Sequence, residues 1–188
     1  MNLSPSDPII VQSVLAGDTG MFEELVRRHQ TMVLRFFQLR HSREDAMDLT
    51  QETFLRAWKS LATYSSQWKF STWLLAVAHQ QNAMFFRNRA RSVESQRVDG
   101  EFEFSNFLSN RDPDPSQSLS REEEAENLWI LIREKLSPDQ AEVLWLFYVE
   151  ESSISEIAQV MTRTVASVKT LLFRARLALQ KVLKAGEP

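Results

Sequence analysis

The sequence predicts an all-α protein of two small helical domains joined by a flexible acidic linker. Three observations carry this. Glycine is scarce, with 4 in 188 residues, while Leu, Ala, Glu, Gln and Arg abound. Apolar residues recur three and four positions apart, the spacing of one helix face. Serines of the Ser-x-x-Glu type stand at the starts of several such segments, as helix caps do. The formal net charge of -3 hides a division into basic, acidic and basic parts. Between residues 94 and 126 the acids Glu94, Asp99, Glu101, Glu103, Asp112, Asp114, Glu122, Glu123, Glu124 and Glu126 face only Arg97, Arg111 and Arg121. The expected division is a first domain over 1–92, a linker over 93–119 and a second domain over 120–188.

Composition also excludes classes. No apolar run approaches the roughly 18 residues of a membrane span. The polar, acidic start MNLSPSDPII has no signal-peptide pattern, so the expected location is cytoplasmic, without membrane insertion. Without cysteine there is no disulfide framework, thiolate nucleophile or Cys-ligated zinc. His29, His41 and His79 lie far apart and read as surface or packing residues. No nucleophile–base pair, metal-ligand spacing or phosphate loop is visible. The expectation is a non-enzyme with no catalytic residue, metal or cofactor.

In chain order, Ser6-Asp7-Pro8 starts a helix carrying Ile9, Ile10, Val11, Val14 and Leu15, which Gly17 stops. The next runs to about Leu39 with Met21, Phe22, Leu25, Val26, Met32, Val33 and Phe36 inward. Ser42, with Asp45 three residues on, caps a third helix from Arg43 to Leu61. Its expected core stripe is Met47, Thr50, Phe54, Trp58 and Leu61. A second stripe of Asp45, Asp48, Leu49 and Glu52 reads either as a solvated face with one exposed Leu or as a docking face for a basic partner. Thr50 and Thr53 are hydroxyls that could take a phosphate.

Residues 62–72, ATYSSQWKFST, set Tyr64, Trp68 and Phe70 among Ser, Gln and Lys69, and Trp73 opens a fourth helix ending in Arg87, Arg89 and Arg91. Aromatics interleaved with basic and amide groups suit unpaired bases: rings stack on base faces at about 1–3 kcal/mol each, and cations track phosphates. The competing reading places Phe70 and Trp73 in a helical core. In the linker, Glu101-Phe102-Glu103-Phe104-Ser105-Asn106-Phe107-Leu108 alternates acidic with apolar residues, more than a plain spacer requires. Ser120 with Glu123 and Ser137-Pro138 with Gln140 start two further helices.

Ser153 to Arg176 reads as two helices about a tight turn. Ser153 and Glu156 form a capping box, and Ile154, Ile157, Ala158 and Met161 face inward. Thr162 to Val165 is the turn. The second helix buries Val168, Leu171, Leu172 and Ala175 and displays Ser167, Lys169, Thr170, Phe173, Arg174 and Arg176. A short helix, a turn and a longer helix with a hydroxyl-and-basic outer face fit a helix-turn-helix for the DNA major groove. A plain surface hairpin with solvated cations also fits the spacing.

Asp45-Ala46-Met47-Asp48-Leu49-Thr50-Gln51-Glu52-Thr53-Phe54-Leu55-Arg56-Ala57-Trp58 closely resembles a characteristic stretch of bacterial RNA polymerase sigma factors of the extracytoplasmic-function (ECF) type. Phe70-Ser71-Thr72-Trp73-Leu74 with Val77-Ala78 resembles that family's promoter-melting segment, and Leu136-Ser137-Pro138 through Arg174-Ala175-Arg176 its region 4. The resemblance implies that Asp45, Asp48, Leu49, Gln51 and Glu52 contact core RNA polymerase. It implies that Tyr64, Trp68, Lys69, Phe70, Trp73, Arg87, Arg89 and Arg91 serve the minus-10 element of promoter DNA. Ser167, Lys169, Thr170, Phe173 and Arg174 would read the minus-35 duplex, with Thr164 and Arg176 near its backbone. An anti-sigma factor or other inhibitor is a further family expectation. The chain departs from the family pattern at Met47, at His79-Gln80 and at Met84, and in the reader at Thr162 and Ala166, often Gly, and Leu171, often Arg. The alternatives are a stand-alone helix-turn-helix regulator and a helical adaptor without a nucleic-acid role.

Overall fold

The computed structural model describes residues 5–95 and 128–185, with backbone alone for 90–95 and 185. Among these residues the secondary structure is helical throughout, with no strand. The N-terminal half comprises α1 (Asp7–Leu15), a 3-10 turn, α2 (Phe22–Gln38), α3 (Arg43–Ser60), a second 3-10 turn and α4 (Phe70–Ser95). The C-terminal half comprises α5, whose described part spans 128–135, then α6 (Pro138–Tyr148), α7 (Ile154–Val160) and α8 (Val165–Ala185). The stretch Glu101–Leu108 and the Ser120–Glu123 cap lie outside the described residues.

Local signals set the helix starts. The Ser42 hydroxyl accepts from the Asp45 N–H at 3.2 Å. Ser137 with Gln140, and Ser153 with Glu156, form complete capping boxes, each side chain bonding the other residue's backbone N–H. Gly17, at φ 111°, takes the left-handed backbone that ends α1.

Two expectations are corrected. The buried stripe of α3 is Ala46, Leu49, Thr53, Phe54 and Ala57, not the stripe through Met47 and Trp58. Met47 and Trp58 are exposed, with Trp58 resting edge-on against Phe22. α3 packs between α2 and α4, and the small side chains of Ala46 and Ala57 let those helices approach. Thr53, fully buried, is closed to modification as folded. Second, α4 begins at Phe70, ahead of Trp73. Phe70 is 2% exposed and packs against Tyr64, Trp73 and His29, so it belongs to the core.

The two halves share one apolar cluster. Leu25, Val33, Phe37, Leu74 and Leu75 build its N-terminal part, and Val143, Leu144, Leu146, Ile157, Val168 and Leu172 the other. α7 lies against α4, and the rings of Phe36 and Trp145 meet at 5.8 Å.

Candidate nucleic-acid interface

On α8 the helical period separates an inner from an outer face. Val168, Leu172 and Ala175 are buried, whereas Lys169, Thr170, Phe173 and Arg174 are exposed, Phe173 to 63%. Thr164 accepts the Ser167 N–H at 3.2 Å and so caps the helix start. Arg163, Ala166, Ser167, Thr170, Leu171 and Arg174 line a groove of about 320 Å³. A groove edged by hydroxyls and guanidinium groups on a protruding helix can meet base edges and phosphates together. Arg163, missed in the sequence, belongs to this edge and is held by an ion pair with Asp139. Its position in the turn was the available signal. Arg176 turns back over the rings of Phe147 and Tyr148, at 5.0 and 5.5 Å, in a cation–π arrangement. It therefore packs against α6, apart from that groove.

The loop before α4 is ordered by its own side chains. The Tyr64 hydroxyl donates to the Trp68 carbonyl at 3.0 Å, and the Tyr64 ring packs on Phe70 and Trp73. Burial pushes the Tyr64 phenol above its ordinary value, aided by the nearby Asp7 carboxylate. Lys69 is exposed, while Tyr64, Trp68 and Trp73 are half-buried. Lys69, Trp68 and the Trp73 edge are thus the loop's surface. Arg87 is exposed farther along α4, Arg89 is half-buried, and the Arg91 side chain lies outside the described residues.

On α3, Asp48, Gln51 and Glu52 are exposed and Asp45 is half-buried. Leu49, expected to be exposed, is 3% exposed and turns into a cleft between α3 and α4. That cleft, of about 590 Å³, is edged by Asp45, Glu52, Arg56, Met84 and Arg89. Gln81 donates to Glu52 across it, and Arg56 reaches the Met84 sulfur at 3.1 Å. The acidic face is thereby braced against α4.

A polar cluster between the halves was also missed in the sequence. Glu142, on α6, is fully buried, with its carboxylate 2.6 Å from Arg40 Nη2 and 2.7 Å from His79 Nδ1. Glu156 Oε1 lies 3.3 Å from Lys69 Nζ and 3.3 Å from Thr72 Oγ1. Burial opposes ionisation of Glu156, but the bonds from Ser153 and the Lys69 ammonium hold its carboxyl below the ordinary range. A lone carboxylate amid Ala141-Glu142-Val143-Leu144-Trp145-Leu146 was the signal available for the first of these.

Such an arrangement is that of a two-part helical protein with a helix-turn-helix whose second helix shows a hydroxyl-and-basic outer face. The family Sigma-70 region 2 matches residues 25–92, and Sigma-70, region 4 matches residues 132–179. The RNA polymerase sigma factor YlaC of Bacillus subtilis is 34% identical over 85% of this chain and 90% of its own length. The ECF RNA polymerase sigma-E factor of Haemophilus influenzae is 27% identical over 91% of this chain and 92% of its own. In fold, the chain is similar to the sigma factor RpoE crystallised with the anti-sigma factor NepR from Bartonella quintana. The TM-score is 0.70 at 22% identity, over 88% of this chain and 98% of that one. The chain belongs to the sigma-70 family of RNA polymerase sigma factors, within its ECF type. Sigma factors bind RNA polymerase and act in transcription initiation. Among the described residues no helix is long and apolar enough to cross a membrane.

Proposed function

We propose that this protein directs core RNA polymerase to promoters by gripping them at two points. On this reading residues 1–92 form the polymerase-binding and minus-10 domain, 93–119 the linker and 120–188 the minus-35 domain. Asp45, Asp48, Gln51 and Glu52 offer an acidic face to polymerase, and Leu49 shapes the cleft behind it. Trp68, Lys69, Tyr64 and Trp73 engage and open the minus-10 element, with Arg87, Arg89 and Arg91 along its phosphates. Ser167, Lys169, Thr170, Phe173 and Arg174 read the minus-35 duplex, with Thr164 beside its backbone. The protein works where RNA polymerase works, in the cytoplasm. An anti-sigma factor or comparable inhibitor completes the partner set, for which RpoE with NepR is a precedent.

The observation that carries this reading is one chain holding both an aromatic–basic loop and an exposed hydroxyl–guanidinium helix face, on separate helical units. A stand-alone regulator needs the second and has no use for the first. Selection from a random duplex library tests it. Core polymerase loaded with the protein should enrich fragments bearing two separated elements, and the free protein should enrich none of them. A single palindromic site enriched without polymerase would favour the regulator.

A further inference from the structure

The groove-lining stripe of α8 continues into the turn before that helix. Arg163, Ser167, Thr170 and Arg174 stand four, three and four positions apart, the spacing of one helix face. All of them line the same groove, with Ala166 and Leu171 between. Arg163 is fixed at both its ends. Its backbone N–H donates to the Ala158 carbonyl at 2.9 Å, closing the end of α7 beside Thr162 in its left-handed conformation. Its guanidinium pairs through Nη2 with Asp139, in the first turn of α6. The Ser137 capping box sets where that turn begins, and Asp139 also lies 3.7 Å from Arg40 Nη2. The Arg163 and Asp139 side chains are 39% and 41% exposed, so a ligand in the groove can reach the guanidinium.

We propose that Arg163 is a specificity-determining residue of the minus-35 reader, held by Asp139 to donate to a guanine edge in the major groove. The proposal rests on the promoter reading above and adds a contact to that same site. Three physical points support it. Residues at the start of a reader helix are the ones that meet base edges, and Arg163 extends the stripe just past that start. A guanidinium is a planar fork of N–H donors that matches guanine O6 and N7. Asp139 takes one Nη2 hydrogen and leaves the other donors of the fork to a ligand. It also orders the side chain before DNA arrives, which lowers the entropy cost of binding. Finally, the pair carries no net charge. Attraction to phosphates follows net cations, so a guanidinium neutralised by its own carboxylate favours a directional contact over a phosphate clamp. The same carboxylate repels a phosphate that approaches closely.

The test is selection from duplexes randomised across the upstream element, by core polymerase loaded with the full-length protein. The unsubstituted protein should select a G·C pair at one position of that element. Arg163→Lys keeps the charge and loses the fork. Its preference for guanine at that position should fall about tenfold, with the preferences at other positions unchanged. Asp139→Asn turns the guanidinium into a net cation. It should lower the same preference, raise affinity for unrelated duplex and steepen the fall of log affinity with log salt by about one. Both variants should keep the far-UV spectrum, since both side chains lie at the surface. A selection profile unchanged by Arg163→Lys would overturn the base contact. A loss spread evenly over all sequences would make Arg163 a phosphate contact and overturn it equally. Unchanged preference and salt dependence in Asp139→Asn would overturn the positioning role. If the free protein selects a single site and polymerase adds nothing, the promoter reading fails, and the Arg163→Lys profile on that site still decides the guanine contact. If no form retains DNA, both fail.

Discussion

Thr162 holds φ at 53°, in the left-handed region, between α7 and α8. A β-branched side chain is strained there, and glycine is not. This explains in physical terms why a glycine is often found at this point of the family pattern. Thr162→Gly should raise stability by up to about 1 kcal/mol, the strain relieved less the backbone entropy glycine loses. The check is a higher thermal midpoint with unchanged helix content. Phe70 and Trp68, two positions apart, differ just as sharply in what they touch. Phe70→Ala should cost about 3–5 kcal/mol, because it empties a packed site shared with Tyr64, Trp73 and His29. The chemistry of the loop is therefore better probed at the half-buried Trp68. Trp68→Ala should impair promoter opening, read by permanganate footprinting, while urea unfolding changes little.

At the scale of elements, α3 and α7 each join a buried apolar face to acidic side chains. Charge reversal at Asp48 and Glu52 together should abolish co-purification with core polymerase. Both side chains are exposed, so the far-UV spectrum should not change; retained binding would remove polymerase from this face. α7 depends on its cap. Its carboxylate, Glu156, is held below the ordinary range in the folded protein. Such a group stabilises the fold above its unfolded value, and that contribution is lost as pH falls through the folded value. Acid titration of stability should therefore be shallower for Glu156→Gln than for the unsubstituted protein. The caps at Ser42, Ser137 and Ser153 were legible in the sequence because each joins residues three apart. The rotation of α3 was not. Met47 and Trp58 fit a helical stripe as well as Ala46 and Ala57 do, and only close packing against α2 and α4 selects the smaller pair. Leu49 turns inward for the same reason.

For the whole molecule, the two helical units, their order and the outer face of α8 followed from periodicity and from the family's motifs. The closed relation between the units did not, since Arg40, His79 and Glu142 meet across long stretches of chain. That relation joins the acidic face of α3, the loop before α4 and the outer face of α8 in one packed body. A factor that acts only through polymerase is the premise of all of this. Run-off transcription from library-selected templates, with purified core polymerase and this protein, tests that claim most directly. Transcripts should start at discrete positions, require both components and fall sharply with Lys169→Ala and Arg174→Ala together. Transcripts indifferent to the added protein, or none from any template while the protein binds duplex DNA alone, would contradict it.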